Sequence, residues 1–206
     1  MQELPKHYVY TPEVIDFVTV AAQTCLLLEH LDEIGRHDLL DKLLKLLPLL
    51  YLKTQLLPLP EQELEGYSQQ FVSEDDYNAV QDGIKSVLGT DDAYLEVFME
   101  DMRYSDEPIT AFLSENLADI YQELKDMAAN YQTAEEDIMN DAVLSCLEAF
   151  KQHWGQKLLN ALRALHALWV EAGEMDEDGH HHCGCDDDDC DCHQHHHCGD
   201  DCHCHD

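Results

Sequence analysis

Basic residues are scarce in this sequence, which has 11 Lys and Arg against 44 Asp and Glu and a formal net charge of −33. Nucleic-acid binding requires clustered Lys and Arg to neutralise phosphates, and docking on anionic lipid surfaces has a similar requirement. Long apolar runs are also missing. The longest charge-free stretch of the N-terminal half covers residues 17–28, whereas a membrane-spanning helix needs about 20 apolar residues. We therefore expect neither nucleic acid nor a membrane as a partner.

The opening residues contain no basic leader followed by an apolar run, so the sequence predicts no secretory signal. This favours a cytoplasmic location, where cysteines are mostly reduced. Hydrophobic residues make up 45% of the chain, which is enough to build a packed core and excludes global disorder. A length of 206 residues suits one domain, or one domain with a tail.

Recognisable catalytic motifs are absent as well. The sequence has no glycine-rich phosphate loop, no Gly-x-Ser-x-Gly and no His-Glu-x-x-His. A two-metal carboxylate bundle needs Glu-x-x-His pairs, and none of the five histidines before residue 180 has an acidic residue three positions earlier. We interpret the acidic residues that share helical spacing as solvated surface: Glu33 with His37, and Glu115 with Asp119 and Glu123. We predict that the protein is not an enzyme.

The composition changes abruptly near the C-terminus. Residues 180–206 hold seven cysteines, nine histidines and eight aspartates, and they include no aliphatic, aromatic or basic side chain other than histidine. Such a segment cannot bury apolar surface, so it cannot offset its ordering entropy without a ligand. The sequence therefore predicts a helical domain over residues 1–175 and a disordered metal-binding tail over residues 176–206.

The tail contains a duplicated pattern. Residues 180–184 (HHHCG) recur as residues 195–199, and residues 188–193 (DDCDCH) recur with one change as residues 200–205. Thiolate and imidazole are the preferred ligands of Zn²⁺ and Ni²⁺, and Cys-x-Cys spacing lets two thiolates reach one ion. At four donors per ion, the tail would hold at most about four ions. The predicted metal ligands are His180, His181, His182, Cys183, Cys185, Cys190, Cys192, His193, His195, His196, His197, Cys198, Cys202, His203, Cys204 and His205.

In composition, the tail resembles the Cys/His/Asp-rich C-terminal extensions of nickel-handling bacterial proteins, including metal-binding prolyl isomerases and hydrogenase-maturation GTPases. The resemblance implies storage or delivery of a divalent metal, with nickel or zinc as the cofactor. Two other interpretations remain: an expression tag, which would be contiguous histidine without cysteine, and a low-complexity tail with incidental metal affinity.

Apolar residues before the tail follow helical spacing and predict an up-down bundle of about six helices. Thr11-Pro12 and Ser73 suit helix starts, and Thr133 with Glu136 suggests a capping box. Pro48 should kink or divide the second helix, whose eleven leucines predict burial on most sides. The predicted helices cover residues 12–34, 36–57, 74 onward, 91–104, 107–131 and one long helix from 134.

The isolated histidines and cysteines of this body have simpler interpretations than a site. His153 and His166 suit the edge of the core on an amphipathic helix. Cys25 and Cys146 lie in apolar contexts, where a thiol behaves as a small hydrophobic group. The leucine-rich second helix suits core packing better than a partner-binding groove.

The leucine-rich residues 43–53 (LLKLLPLLYLK), after an opening helix containing residues 17–21 (FVTVA), resemble an uncharacterised all-helical bacterial domain family of unknown function. The resemblance covers about residues 8–172 and implies a compact helical domain, without an activity to carry over. We therefore predict a non-enzymatic transition-metal-binding protein whose partners are metal ions. The alternative is a helical adaptor for a protein partner, with the tail as an accessory metal sensor.

Overall fold

The computed structural model describes residues 7–65, 69–96 and 109–178, with side chains described as far as residue 172. The chain divides into one unit spanning Met1–Ala172 and a second from Gly173 onward. The sixteen predicted metal ligands lie outside the described residues, so the fold below is that of the first unit.

The described chain forms five helical segments and one small β-hairpin. A π-helical turn at Phe150–Trp154 joins the fifth and sixth helices without a break, and short 3₁₀ turns lie at Tyr8–Tyr10, Leu31–Glu33 and Gly89–Asp92. The helices are α1 (Pro12–Glu29), α2 (Arg36–Leu56), α3 (Glu74–Leu88), α4 (Leu113–Tyr131), α5 (Glu136–Ala149) and α6 (Gly155–Asp178). The hairpin pairs β1 (Ala93–Leu95) antiparallel with β2 (Thr110–Phe112).

The prediction of an all-α bundle is confirmed, and local signals explain several helix starts. Pro12 occupies the first turn of α1, where its missing N–H costs no hydrogen bond. Ser73 caps α3 by accepting from the backbone N–H of Asp76 at 3.2 Å, and the Asp76 carboxylate accepts from the Ser73 N–H at 3.1 Å. The last helix is continuous from Glu136 to Asp178, as its unbroken apolar spacing predicts.

Several predicted boundaries are wrong. The first helix ends at Glu29 rather than near residue 34, because His30 leaves the helical conformation at φ −124°. The predicted capping box at Thr133 does not form: its hydroxyl donates to the Asn130 carbonyl at 2.8 Å, and the helix starts at Glu136. Ala134, with φ +59°, turns the chain between them.

The predicted fourth helix is also wrong where the structure describes it. Gly89 ends α3 at φ +59°, and the chain then forms a 3₁₀ turn and strand β1. The buried Asp92 carboxylate explains this path, because it accepts from the backbone N–H and the hydroxyl of Ser114, each at 2.7 Å. These bonds draw the turn to the start of α4, which begins at Leu113 after a strand rather than near residue 107.

The core lies around α4, which packs against α1, α3 and α5. α2 contributes one face to this core, and the prediction that α2 is buried on most sides is wrong: Leu49, Leu52 and Leu56 are 40%, 53% and 62% exposed. Pro48 lies within α2 without dividing it. No described helix combines the length and apolarity needed to cross a bilayer.

Candidate functional site

The described part of the body holds no group of three His, Cys, Asp or Glu side chains that could bind a metal ion. Glu33 belongs to a 3₁₀ turn and His37 to α2, so these two residues do not share a helix face. His153 and His166 are exposed on the last helix rather than at the edge of the core. The histidines of the body are therefore not brought together.

The acidic residues of α4 are not a uniform solvated face, which corrects the sequence interpretation at Asp119. Its carboxylate accepts a hydrogen bond from the Tyr77 hydroxyl at 3.0 Å and another from the Lys157 ammonium group, and its side chain is only 19% exposed. The i, i+4 spacing could not reveal these bonds, because both partners are about 40 residues away in sequence. Asp119 joins α3 and α6 to α4.

The cysteines Cys25 and Cys146 are buried and form no disulfide. Burial, followed by the nearby Glu29 carboxylate, raises the pKa of Cys25 to about 12. Burial also raises the pKa of Cys146 well above its ordinary value. Both thiols are therefore protonated at neutral pH and unsuited to nucleophilic attack or metal ligation. Their interpretation as small hydrophobic groups is confirmed.

A buried polar network connects the hairpin to the last helix. Glu96 follows β1 and accepts from the Asn160 side chain at 2.6 Å and from the Tyr94 hydroxyl at 3.1 Å. The Asn116 amide donates in turn to the Tyr94 hydroxyl oxygen. Burial, then the Glu96 carboxylate, raises the pKa of Tyr94, so the phenol keeps the proton that it donates. No local sequence pattern links these residues.

A second polar cluster holds the connection between α2 and α3 against the bundle. The Asp141 carboxylate of α5 accepts from the backbone N–H groups of Glu63 and Leu64, each at 2.8 Å. The Asp126 carboxylate of α4 accepts from those of Phe71 and Val72 at 2.6 and 2.8 Å. These acidic side chains satisfy backbone donors that no regular element pairs. Their role is structural.

Glu123 of α4 is also partly buried rather than solvated, which corrects its sequence interpretation and supplies a test of how burial affects stability. Burial, then the charges of Asp126 and Asp119, raises its pKa above the ordinary 4.5. The folded state therefore holds the proton more tightly than the unfolded chain does, so ionisation of Glu123 lowers the free energy of unfolding as the pH rises. Glu123→Gln should be more stable than wild type near about pH 7, with a smaller difference near about pH 4.

Urea denaturation at both pH values measures this difference. Glu148→Gln, on an exposed position of α5, is the control and is expected to change stability little. A Glu123→Gln effect that is independent of pH would contradict the assignment.

The described surface also has an open groove between α2 and α6. One face of α2 supplies Asp41, Leu44, Lys45 and Pro48, and one face of α6 supplies Leu159, Leu162, Arg163, His166 and Trp169. The groove has a volume of about 630 Å³. Leu162 and Trp169 continue the apolar spacing of the last helix, a pattern that is typical of core residues. Trp169 is in fact 48% exposed.

The last helix makes two ring contacts of interest here, and one of them joins two residues that line the groove. Nearby, the Tyr51 ring of α2 meets the Phe150 ring edge-on, with centroids 5.3 Å apart, which brings the two helices together. On α6, the His166 ring lies 5.8 Å from the Trp169 ring at an interplanar angle of 30°. Because Pro48 has no N–H, the backbone carbonyl of Leu44 lacks its usual helical donor.

The comparison with solved structures identifies the fold. The crystal structure of protein BF1032 from Bacteroides fragilis, a structural-genomics target, is 38% identical in sequence. The match covers 79% of this chain and 95% of that chain, with a TM-score of 0.71. A search of curated proteins found no match.

A match to a protein family covers most of the helical body. A family described as a domain of unknown function, DUF5063, matches residues 8–171. This agrees with the resemblance noted over residues 8–172, while the Cys/His/Asp-rich tail lies beyond the matched residues. The chain belongs to the DUF5063 family of domains of unknown function.

Proposed function

We propose that the protein is a non-enzymatic transition-metal-binding protein that stores, sequesters or delivers ions such as Ni²⁺ or Zn²⁺ through residues 180–206. The observation that carries the proposal is the density of donors, sixteen Cys and His within 27 residues, arranged as a duplicated cassette. Thiolate and imidazole together select borderline and soft divalent ions over Mg²⁺ or Ca²⁺.

The aspartates of the tail support the same proposal. Four of them are consecutive at residues 186–189, and two more lie at residues 200–201. Their negative charge attracts divalent cations and keeps a cysteine-rich segment solvated. The helical domain would serve as the carrier of the tail, since α6 ends at Asp178, two residues before the first proposed ligand, His180.

Titration of Zn²⁺ or Ni²⁺ into the reduced protein tests the proposal. We expect the full chain to bind up to about four ions and a chain lacking residues 180–206 to bind none with comparable affinity. Binding should weaken as the pH falls through the imidazole and thiol range, because protons compete for each donor.

Two further variants distinguish metal binding by the tail from metal binding by the helical body. Replacing the seven tail cysteines with serine should remove most of the binding, whereas replacing the exposed His153 and His166 with glutamine should leave stoichiometry unchanged. Equal stoichiometry in the full chain and the tail-deleted chain would refute the proposal.

The second candidate function is a helical adaptor with the tail as an accessory metal sensor. The exposed Leu49, Leu52 and Leu56 of α2 favour it, because exposed leucines at helical spacing are typical of partner-binding surfaces. A set of captured proteins that is unchanged by tail deletion, but lost when these leucines become glutamate, would favour the adaptor over the metal carrier.

A further inference from the structure

The groove between α2 and α6 has an apolar wall that solvent reaches. Leu44 and Pro48 are one turn apart on α2, and Leu159, Leu162 and Trp169 follow one another at helical spacing on α6. Leu159 and Trp169 are 41% and 48% exposed. Since exposed apolar surface is unfavourable in water, a continuous wall of this kind is typical of ligand-binding grooves.

The charges of the groove differ from those of the protein as a whole. Lys45 is paired with Asp41 at 2.7 Å on the same helix. Arg163 is exposed and forms none of the ion pairs found within the described residues. His166 follows it by three residues on α6. A chain with net charge −33 therefore places beside an apolar wall a guanidinium group that has no ion pair within the described residues.

The apolar wall and the Arg163 guanidinium group together indicate the class of ligand that the groove would bind. A guanidinium group forms bidentate hydrogen bonds with carboxylates, and these bonds are stronger than neutral ones. The volume of about 630 Å³ lies within the roughly 300–1,000 Å³ of small-molecule sites.

We propose that this groove binds a small amphiphilic carboxylate, with its apolar body against Leu44, Leu159 and Trp169 and its carboxylate on the Arg163 guanidinium. This site is independent of the metal-binding tail, and either proposal can fail without the other.

Trp169 fluorescence provides the readout, because the other tryptophan, Trp154, is fully buried. The titrants are decanoate, decanol and decyltrimethylammonium, which share an apolar chain and differ in charge, each kept below its micelle concentration. The overall negative charge of the protein favours the cationic titrant. A preference for decanoate must therefore come from local cations, and we expect it to bind at least about tenfold tighter than the cation.

Variants distinguish the effect of the Arg163 charge from the effect of the net charge of the whole protein. Arg163→Gln should weaken decanoate binding by about tenfold and leave decanol binding unchanged. Lys151→Gln removes the same charge at an exposed position outside the groove and should leave both unchanged. Trp169→Phe should abolish the fluorescence change while calorimetry still detects decanoate.

Three results would overturn the proposal: no decanoate binding, tighter binding of the cation, or equal loss with Arg163→Gln and Lys151→Gln. A second copy of the chain occupying the groove would also overturn it. That case would appear in sedimentation as a concentration-dependent dimer that Arg163→Gln dissociates.

Discussion

Trp154→Ala is expected to lower the free energy of unfolding by about 4 kcal/mol. The indole is fully buried in the last helix, and its N–H donates to the Cys146 carbonyl at 3.0 Å. Its ring meets the Phe150 ring edge-on, with centroids 4.6 Å apart. Alanine would remove this burial and leave a cavity that a rigid helical core fills only partly.

The chain has only one other tryptophan, and it serves as the matched control. Trp169→Ala, at a half-exposed position, should change stability by less than about 0.5 kcal/mol. Urea denaturation followed by circular dichroism, with a chelator present to exclude metal binding, measures both. If Trp154→Ala does not fold, Trp154→Phe should still lose about 1–2 kcal/mol. Equal effects at the two tryptophans would contradict the packing described.

The second large effect on stability is expected for Gly155→Ala. This substitution should destabilise the protein, although helix propensity favours alanine over glycine. Alanine in a helix interior is ordinarily about 1 kcal/mol more stable than glycine. At Gly155, however, a Cβ atom would lie 2.5 Å from the Phe150 carbonyl oxygen and 2.9 Å from Cε2 of its ring. That backbone oxygen cannot move without disturbing the π turn, so we expect a loss of about 2 kcal/mol.

Gly83→Ala in α3 is the matched comparison. A Cβ atom there would lie 3.3 Å from Cδ1 of Leu31, the far end of a flexible side chain. We expect this substitution to be neutral or to stabilise by up to about 1 kcal/mol. The difference between the two variants is measured by parallel urea denaturation. Stabilisation by both would show that Phe150 adjusts freely and that the close approach at Gly155 has no energetic consequence.

The π turn explains why the two residues with the largest expected effects on stability, Trp154 and Gly155, are neighbours in one helix. At Phe150–Trp154 the chain widens, and the Gly155 N–H donates to the Phe150 carbonyl five residues earlier. An extra residue in a turn shifts the angular position of the side chains that follow it. Trp154, at the end of the turn, is buried in the core, and Phe150, at its start, contacts Tyr51 of α2. The sequence predicts one long helix here and gives no indication of the π turn.

Local sequence signals predicted the elements that depend on neighbouring residues. The Ser73 cap, Pro12 at a helix start and the extent of α2 follow from interactions within one or two turns. The hairpin was missed because β1 and β2 are three residues each, too short for a periodic signal. The capping box at Thr133 failed because its hydroxyl bonds backward to Asn130, a competing bond that spacing cannot exclude.

Of the two candidate sites, composition predicts the tail and carries no signal for the groove. A terminus rich in Cys, His and Asp and lacking apolar side chains is separable from a helical core without coordinates, because such residues cannot contribute to hydrophobic burial. The groove depends on how far α2 and α6 separate beyond the Tyr51–Phe150 contact. That separation leaves Trp169 half-exposed and leaves Arg163 of α6 and Lys45 of α2 lining the same groove. It arises from packing between helices more than a hundred residues apart, a distance over which helical periodicity carries no information.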